Sequence, residues 1–255
     1  MEPHQYVPLS CAQCTAGAGL DFDFSGAFQP IVDLGQRAVF AYEALVRGPA
    51  NEPASQILGR ITDENRYRFD QACRVKMVQL AARLGIREKL NINFFPKAVY
   101  RPELCIRTTL EAARTFGFPI ERIVFEVTEG EQIEDHAQVN GIIKEYQRLG
   151  FQTALDDFGA GYSGLNFLAE FQPNYIKLDM ALTRSIHADA ARQAIVRGVL
   201  QVCRELAIAI IAEGVETREE LGWLRHAGLN LFQGYYFAKP AFESLPDVPE
   251  SRFSI

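Results

Sequence analysis

The sequence predicts one α/β domain whose strands close into a barrel. Three observations predict it. Short apolar runs alternate with amphipathic helical stretches along nearly the whole chain, the pattern of a mainly parallel sheet covered by helices. The runs number roughly eight, which in 255 residues favours a closed barrel over an open sheet. Acids sit at or just past the ends of several runs, where barrel enzymes carry their chemistry.

Taken in order, residues 1–24 carry no clear periodicity and read as a tail. Cys11-Ala-Gln-Cys14 lies within it. A closed zinc site needs four ligands, and His4 is the one further donor nearby. The pair therefore reads as two exposed thiols, with a redox or intermolecular role as the alternative. FQPIVDL (28–34) and AVFAYEALV (38–46) flank Gly35-Gln36 and predict a hairpin. A helix follows over 65–84, with Phe69, Ala72, Cys73, Met77, Leu80, Ala81 and Leu84 on one face. KLNINFF (89–95) predicts a strand. Residues 102–116 predict a helix with Pro102 near its start. RIVFEVT (122–128) is a strand, and 134–150 a helix ended by Gly150. QTALDDF (152–158) is a strand, GLNFLAEF (164–171) a short helix and NYIKLD (174–179) a strand. Helices run on to about residue 207. AIAIIAE (207–213) is a strand, 217–228 a helix and NLFQGYYF (230–237) the last strand. No linker or repeat divides the chain, so residues 25–247 read as one domain between tails 1–24 and 248–255.

Composition excludes several roles. The chain is 48% hydrophobic and therefore globular. Its net charge is −6 with Lys and Arg scattered, so it lacks the basic face that a nucleic-acid polymer requires. No apolar run is long enough to span a membrane, and no basic start precedes an apolar core as in a signal peptide. Cys73, Cys105 and Cys203 fall in apolar or amphipathic segments and read as core residues. A cytoplasmic location is expected. Neither a G-x-S-x-G elbow nor a P-loop is present.

The acids point to a metal. Glu43, Glu126, the adjacent Asp156 and Asp157, and Glu213 stand at or just past the ends of four separate apolar runs. Gathered at one end of a barrel, unpaired carboxylates would repel strongly, and a bound divalent cation is the simplest remedy. Alternation puts Asn91 and Asn93 on one strand face. Glu43, Asn93, Glu126, Asp156, Asp157 and Glu213 together offer only oxygen donors, which favours Mg²⁺ or Mn²⁺ over zinc. His4, His136, His187 and His226 lie far apart in the sequence. Adjacent Asp156 and Asp157 could help to hold two ions, the arrangement that clamps an in-line displacement at phosphorus. Lys177 in an apolar strand has two open readings. It could pair with Asp179 on its own face, or it could stabilise charge in a transition state. The glycines of 157–163 permit a mobile loop.

At these residues the chain resembles the EAL-domain family of cyclic di-GMP phosphodiesterases. Glu43-Ala44-Leu45 stands in YEALVRG behind FQPIVDL, followed by NIN (91–93), FEVTE (125–129), DDFGAGYS (156–163), IKLD (176–179), AEGVET (212–217) and FQGYYFAKP (232–240). The resemblance covers about residues 25–245. It implies a modified TIM (β/α)₈ barrel with one antiparallel early strand. It also implies hydrolysis of cyclic di-GMP to linear pGpG with two Mg²⁺ or Mn²⁺ ions per site, with Ca²⁺ inhibitory. By the same resemblance, Glu43, Asn93, Glu126 and Asp156 hold the first metal, while Asp156 and Asp157 hold the second. Lys177 contacts the catalytic water, and Glu213 is a general base or an anchor for water and metal; with Glu43 they form the catalytic set. Gln233 holds a water network. Gln29, Leu45, Arg47 and Gln233 meet the substrate. Glu129 anchors the DDFGAGYS loop and couples it to a dimer interface, so a homodimer is expected. Gly164 and Asn166 depart from a commonly serine-rich run. Two other readings remain: a cyclic di-GMP receptor without turnover, and a protein-binding regulator that ignores the nucleotide.

Overall fold

A computed structural model describes residues 19–99, 102–128, 136–160 and 164–254. His4, Cys11, Cys14, Glu129 and the Gly161-Tyr162-Ser163 part of the loop lie outside the described residues.

The hairpin forms as predicted. Strands β1 (Ser25–Asp33) and β2 (Ala38–Arg47) pair antiparallel, with Gln29 opposite Glu43. Asp33 makes the reversal by accepting from the Gly35 and Gln36 amides at 2.7 and 3.1 Å. A tight hairpin can only join antiparallel strands. The next six strands are β3 (Lys89–Asn93), β4 (Ile123–Thr128), β5 (Gln152–Phe158), β6 (Tyr175–Leu178), β7 (Ala209–Ala212) and β8 (Leu231–Gln233). From β2 to β8 each pairs parallel with the next, because a helical connection returns the chain to the same end of the sheet. β1 closes the ring by pairing antiparallel with both β2 and β8. The barrel is therefore closed, and β1 is its one reversed strand.

The helices are α1 (Ala54–Leu58), α2 (Arg66–Arg83), α3 (Pro102–Cys105), α4 (Arg107–Phe116), α5 (His136–Arg148), α6 (Gly164–Glu170), α7 (Met180–Thr183), α8 (Ala190–Glu205) and α9 (Arg218–His226). No helix among the described residues is long and apolar enough to cross a membrane. The helix expected over 102–116 is broken into α3 and α4 at Ile106. α2 buries far more than one stripe: Asp70, Gln71 and Arg74 are inside together with Phe69, Ala72 and Met77. The last strand stops at Gln233 instead of reaching Phe237. Val215 takes over the pairing, donating its amide to Gln233 and accepting from Tyr236. A side chain at Gly234 would run into the Val215 backbone. Ahead of β1, Phe22 and Phe24 are buried with ring centroids 6.1 and 5.1 Å from that of Phe69. Cys105 and Cys203 are buried and Cys73 is half-buried. Burial pushes the Cys73 and Cys203 thiols up to about 12 and about 11.

The apolar core has two parts. One lies between the barrel and its helices and includes Phe28, Phe69, Phe125, Tyr146 and Phe232. The other comprises Ile31, Ala41, Val124, Ala154, Tyr175, Ile211 and Leu231, all from barrel strands. This second set plugs the barrel interior. Two residues further along each parallel strand, on the same face, stand Glu43, Glu126, Asp156, Lys177, Glu213 and Gln233. On the reversed β1 the corresponding step runs backwards, from Ile31 to Gln29. The strand period therefore stacks a polar layer directly on an apolar floor.

Glu220 braces the loop that follows β7. It completes a capping box with Thr217, and its carboxylate accepts from the amides of Ser185, Glu216 and Thr217 at 2.8, 3.0 and 3.1 Å. Burial would raise its pKa, but these backbone donors outweigh burial and hold it below the usual glutamate value. The stabilisation is thus complete above the unfolded pKa and is lost as pH falls through the folded one. Glu220→Gln is expected to cost about 2 kcal/mol at neutral pH. In urea denaturation the gap from wild type should narrow below about pH 4. A gap unchanged down to about pH 3 would contradict this account.

Candidate active site

The polar layer converges on Lys177. Its Nζ lies 2.9 Å from Glu213, 3.0 Å from Glu126, 3.1 Å from Asp156 and 3.3 Å from Glu43. Lys177 and Glu126 are fully buried, and Glu43 and Asp156 nearly so. Asp179 is not among these partners of Lys177: it caps α7 by accepting from the Ala181 amide. The pairing of Lys177 with Asp179, left open by spacing, is not the one formed.

Neutral amides hold the acids in place. Asn91 donates to Glu126 at 2.6 Å and Asn93 to Glu43 at 3.1 Å. Gln233 donates to Glu43 at 2.7 Å and to Gln29 at 3.3 Å. The two asparagine donations are diagonal: register sets Glu43 beside Asn91 and Asn93 beside Glu126, so each amide reaches the acid two residues off its own level on the other neighbouring strand. Glu213 is fixed through its backbone, whose carbonyl accepts from the Thr183 hydroxyl at 2.6 Å.

Asp157 breaks the alternation. Two adjacent strand residues normally face opposite sides, yet both Asp156 and Asp157 serve this site. The β5–β6 register slips between Leu155 and Phe158, and Asp157 adopts a left-handed φ of 54°. This bulge turns the second carboxylate back toward the first.

The electrostatics are those of a site built for more positive charge than the chain supplies. Burial pushes the Glu126 and Glu213 carboxyls well above the usual range, against the pull of Lys177. Burial, then Asp156 and Asp179, push Asp157 up to about 6. Burial alone would lower Lys177, but Asp156, Glu126, Glu213 and Glu43 outweigh it and hold its ammonium well above the ordinary lysine value.

The donors fit two hard cations. Glu43, Glu126 and Asp156 bring one oxygen each within 4.8 Å of one another, and so do Asp156, Asp157 and Glu213. The two trios share Asp156. Buried Asp156 Oδ1 faces the Lys177 ammonium at 3.1 Å without an aligned hydrogen bond, and a carboxylate oxygen keeps a further lone pair for a cation. The donor set is all carboxylate and amide oxygen, as Mg²⁺ and Mn²⁺ require. A cleft of about 300 Å³ opens over the acids, lined among others by Gln29, Glu43, Asp157, Glu213 and Gln233. Leu45 and Arg47 share the face of Glu43 along β2, but they do not line this cleft. Arg47 donates instead to the Val46 carbonyl at 2.7 Å. The cleft walls also include Asp179, Met180, Glu216 and Tyr235, which the sequence reading had not assigned to it. Their one signal was position, since each lies just past a strand end.

A sequence model of the EAL domain matches residues 21–240. The chain belongs to the EAL domain family. Among relatives of this EAL protein is the blue light- and temperature-regulated antirepressor BluF of Escherichia coli K12, 33% identical over 229 residues, which span 89% of this chain and 57% of BluF. Another is the cyclic di-GMP phosphodiesterase PdeR of the same organism, 43% identical over 157 residues, or 61% of this chain and 23% of PdeR. The chain thus spans little more than half the length of such curated relatives, or less. Among solved structures, a standalone EAL protein from Vibrio cholerae O395 in its c-di-GMP-bound form is 56% identical, with a TM-score of 0.90, covering 93% of this chain and 100% of that one. The Klebsiella pneumoniae BlrP1 manganese and cyclic di-GMP complex at pH 9.0 is 36% identical, with a TM-score of 0.84, covering 88% of this chain and 58% of that one.

Proposed function

We propose that this EAL domain hydrolyses cyclic di-GMP to linear pGpG in the cytoplasm, using two Mg²⁺ or Mn²⁺ ions. The observation that carries the reading is the pair of carboxylate trios sharing Asp156, with Lys177 buried at their centre. Similarity to a Vibrio cholerae structure described as c-di-GMP-bound supports the substrate.

Glu43, Asn93, Glu126 and Asp156 would hold one ion, and Asp156 with Asp157 the other. Ions bound there supply Lewis acidity at phosphorus and acidify water. Glu213 takes a proton from the attacking water. As the water oxygen bonds to phosphorus, the bond to the ribose 3′ oxygen breaks, and that oxygen leaves as the 3′ hydroxyl after taking a proton from solvent. Lys177 supplies fixed positive charge where the phosphoryl oxygens gain negative charge. Gln233 keeps Glu43 oriented, and Gln29, Leu45 and Arg47 position the nucleotide. Glu129 anchors the loop after Asp157 at a homodimer interface, and residues 25–247 form the working unit.

The test is incubation with cyclic di-GMP and Mg²⁺, Mn²⁺ or Ca²⁺, followed by chromatography of the products. Release of pGpG with Mg²⁺ or Mn²⁺ and little with Ca²⁺ is expected. Intact nucleotide after prolonged incubation with Mn²⁺ overturns the reading. A non-catalytic regulatory role is the second reading, favoured by the match to an antirepressor over 89% of the chain. Nucleotide binding without turnover would establish that role instead.

A further inference from the structure

A second charged cluster lies outside the barrel, behind the acids. Asp70 and Arg74 sit one turn apart on α2 and form an ion pair that is almost wholly buried. Arg74 Nη1 donates to the Tyr146 hydroxyl at 3.1 Å. The Arg74 guanidinium lies 5.4 Å from the Phe125 ring centroid and 5.6 Å from that of Phe94. Tyr146 packs on Phe125 in a tilted arrangement, 4.8 Å between centroids. Asp70 uses its other oxygen to accept from the Phe95 amide at 3.0 Å.

The contacts with Phe94, Phe95 and Phe125 fall one or two residues from a proposed metal ligand. Phe125 precedes Glu126, and Phe94 follows Asn93. Neighbouring strand residues face opposite sides, so Phe94 and Phe125 turn outward to the cluster while Asn93 and Glu126 turn inward to the site. The Phe94 amide also donates to the Glu126 carbonyl at 3.1 Å, tying the two strand ends together. A buried ion pair is a weak source of net stability, because desolvation offsets its attraction. Its geometric constraint on these two strand ends is strong, since a charge without its partner cannot be tolerated there.

We propose that Asp70, Arg74 and Tyr146 are positioning residues for the Asn93–Glu126 side of the metal site. They fix the two strand ends from behind, so that the inward-facing donors stand at cation-binding separation. This inference rests on the metal site proposed above.

The test measures Mn²⁺ binding to the metal-free protein by calorimetry, well below the melting temperature, with folding checked by circular dichroism. Tyr146→Phe removes one hydroxyl and keeps the ring; Asp70→Asn keeps an acceptor for Phe95 and removes the charge facing Arg74. Outer-shell partners of metal ligands typically carry about 10–100-fold in metal affinity. Asp70→Asn is expected to weaken Mn²⁺ binding within that range, and Tyr146→Phe by roughly its lower end. Val196→Ala, a core change beneath α8 on another side of the barrel, is the control for destabilisation alone. It should lower the melting temperature and leave Mn²⁺ affinity unaltered. If Asp70→Asn does not fold, Tyr146→Phe decides the matter. Wild-type Mn²⁺ affinity in folded Tyr146→Phe, or equal weakening by Val196→Ala, overturns the inference alone. Absence of Mn²⁺ binding by the wild type overturns the metal site and the inference together.

Discussion

Asp156→Ala is expected to lower turnover of cyclic di-GMP by about 10³-fold or more. Asp156 belongs to both carboxylate trios, so its loss strips a donor from each proposed ion at once. Glu43→Ala should be comparably severe. Glu43 serves one trio, but it also receives Asn93 and Gln233, whose amides would lose their acceptor. Asp157 serves one trio and is half-exposed, so Asp157→Ala should be the mildest of the three. The measurement is the rate of pGpG release at saturating Mn²⁺, together with Mn²⁺ stoichiometry. Wild-type rates in either Asp156→Ala or Glu43→Ala would remove these residues from the metal site.

Lys177→Met is the second large effect, and stability as well as catalysis should report it. In the wild type one ammonium lies within 3.3 Å of four carboxylates. Removing it leaves those acids, buried or partly buried at the foot of the cleft, facing one another without a counter-charge. Breaking a buried pair from one side typically costs about 3–5 kcal/mol. The metal-free variant should therefore melt well below the metal-free wild type. Mn²⁺ should recover much of the difference, because a ligand that binds only the folded state stabilises it by mass action. Turnover should remain low even with the metal bound, by about 10²-fold or more, since a fixed positive charge beside phosphorus has gone. Equal melting of wild type and Lys177→Met in chelator at neutral pH would show that the lysine is not the internal counter-charge.

The sequence carried much of the fold for local reasons. Gly35-Gln36 between two apolar runs is a hairpin signal that needs no tertiary knowledge, and that hairpin is why β1 alone runs against the barrel. Apolar runs separated by helices require parallel strands. The acids at strand ends were readable because the period of two is a property of the backbone itself. Other features were not readable. Arg74 and Asp70 look like an ordinary surface pair at i and i+4, and only the packing of α2 against the ends of β3 and β4 and against Tyr146 of α5 buries them. The early end of β8 likewise depends on Val215, which lies on another connection.

By itself the sequence determined which donors exist, on which strand faces they lie and that they are all oxygen. These follow from residue type and alternation, which one strand possesses without any other. Only the tertiary structure decided who meets whom. It closed the ring so that β8 brings Gln233 to Glu43. It slipped the β5–β6 register so that Asp157 joins Asp156. It gave Lys177 to four carboxylates from other strands instead of to Asp179 on its own. Each of these depends on strand pairing and burial across long sequence separations, where the lowest-energy partner is set by the closed barrel and not by spacing along the chain.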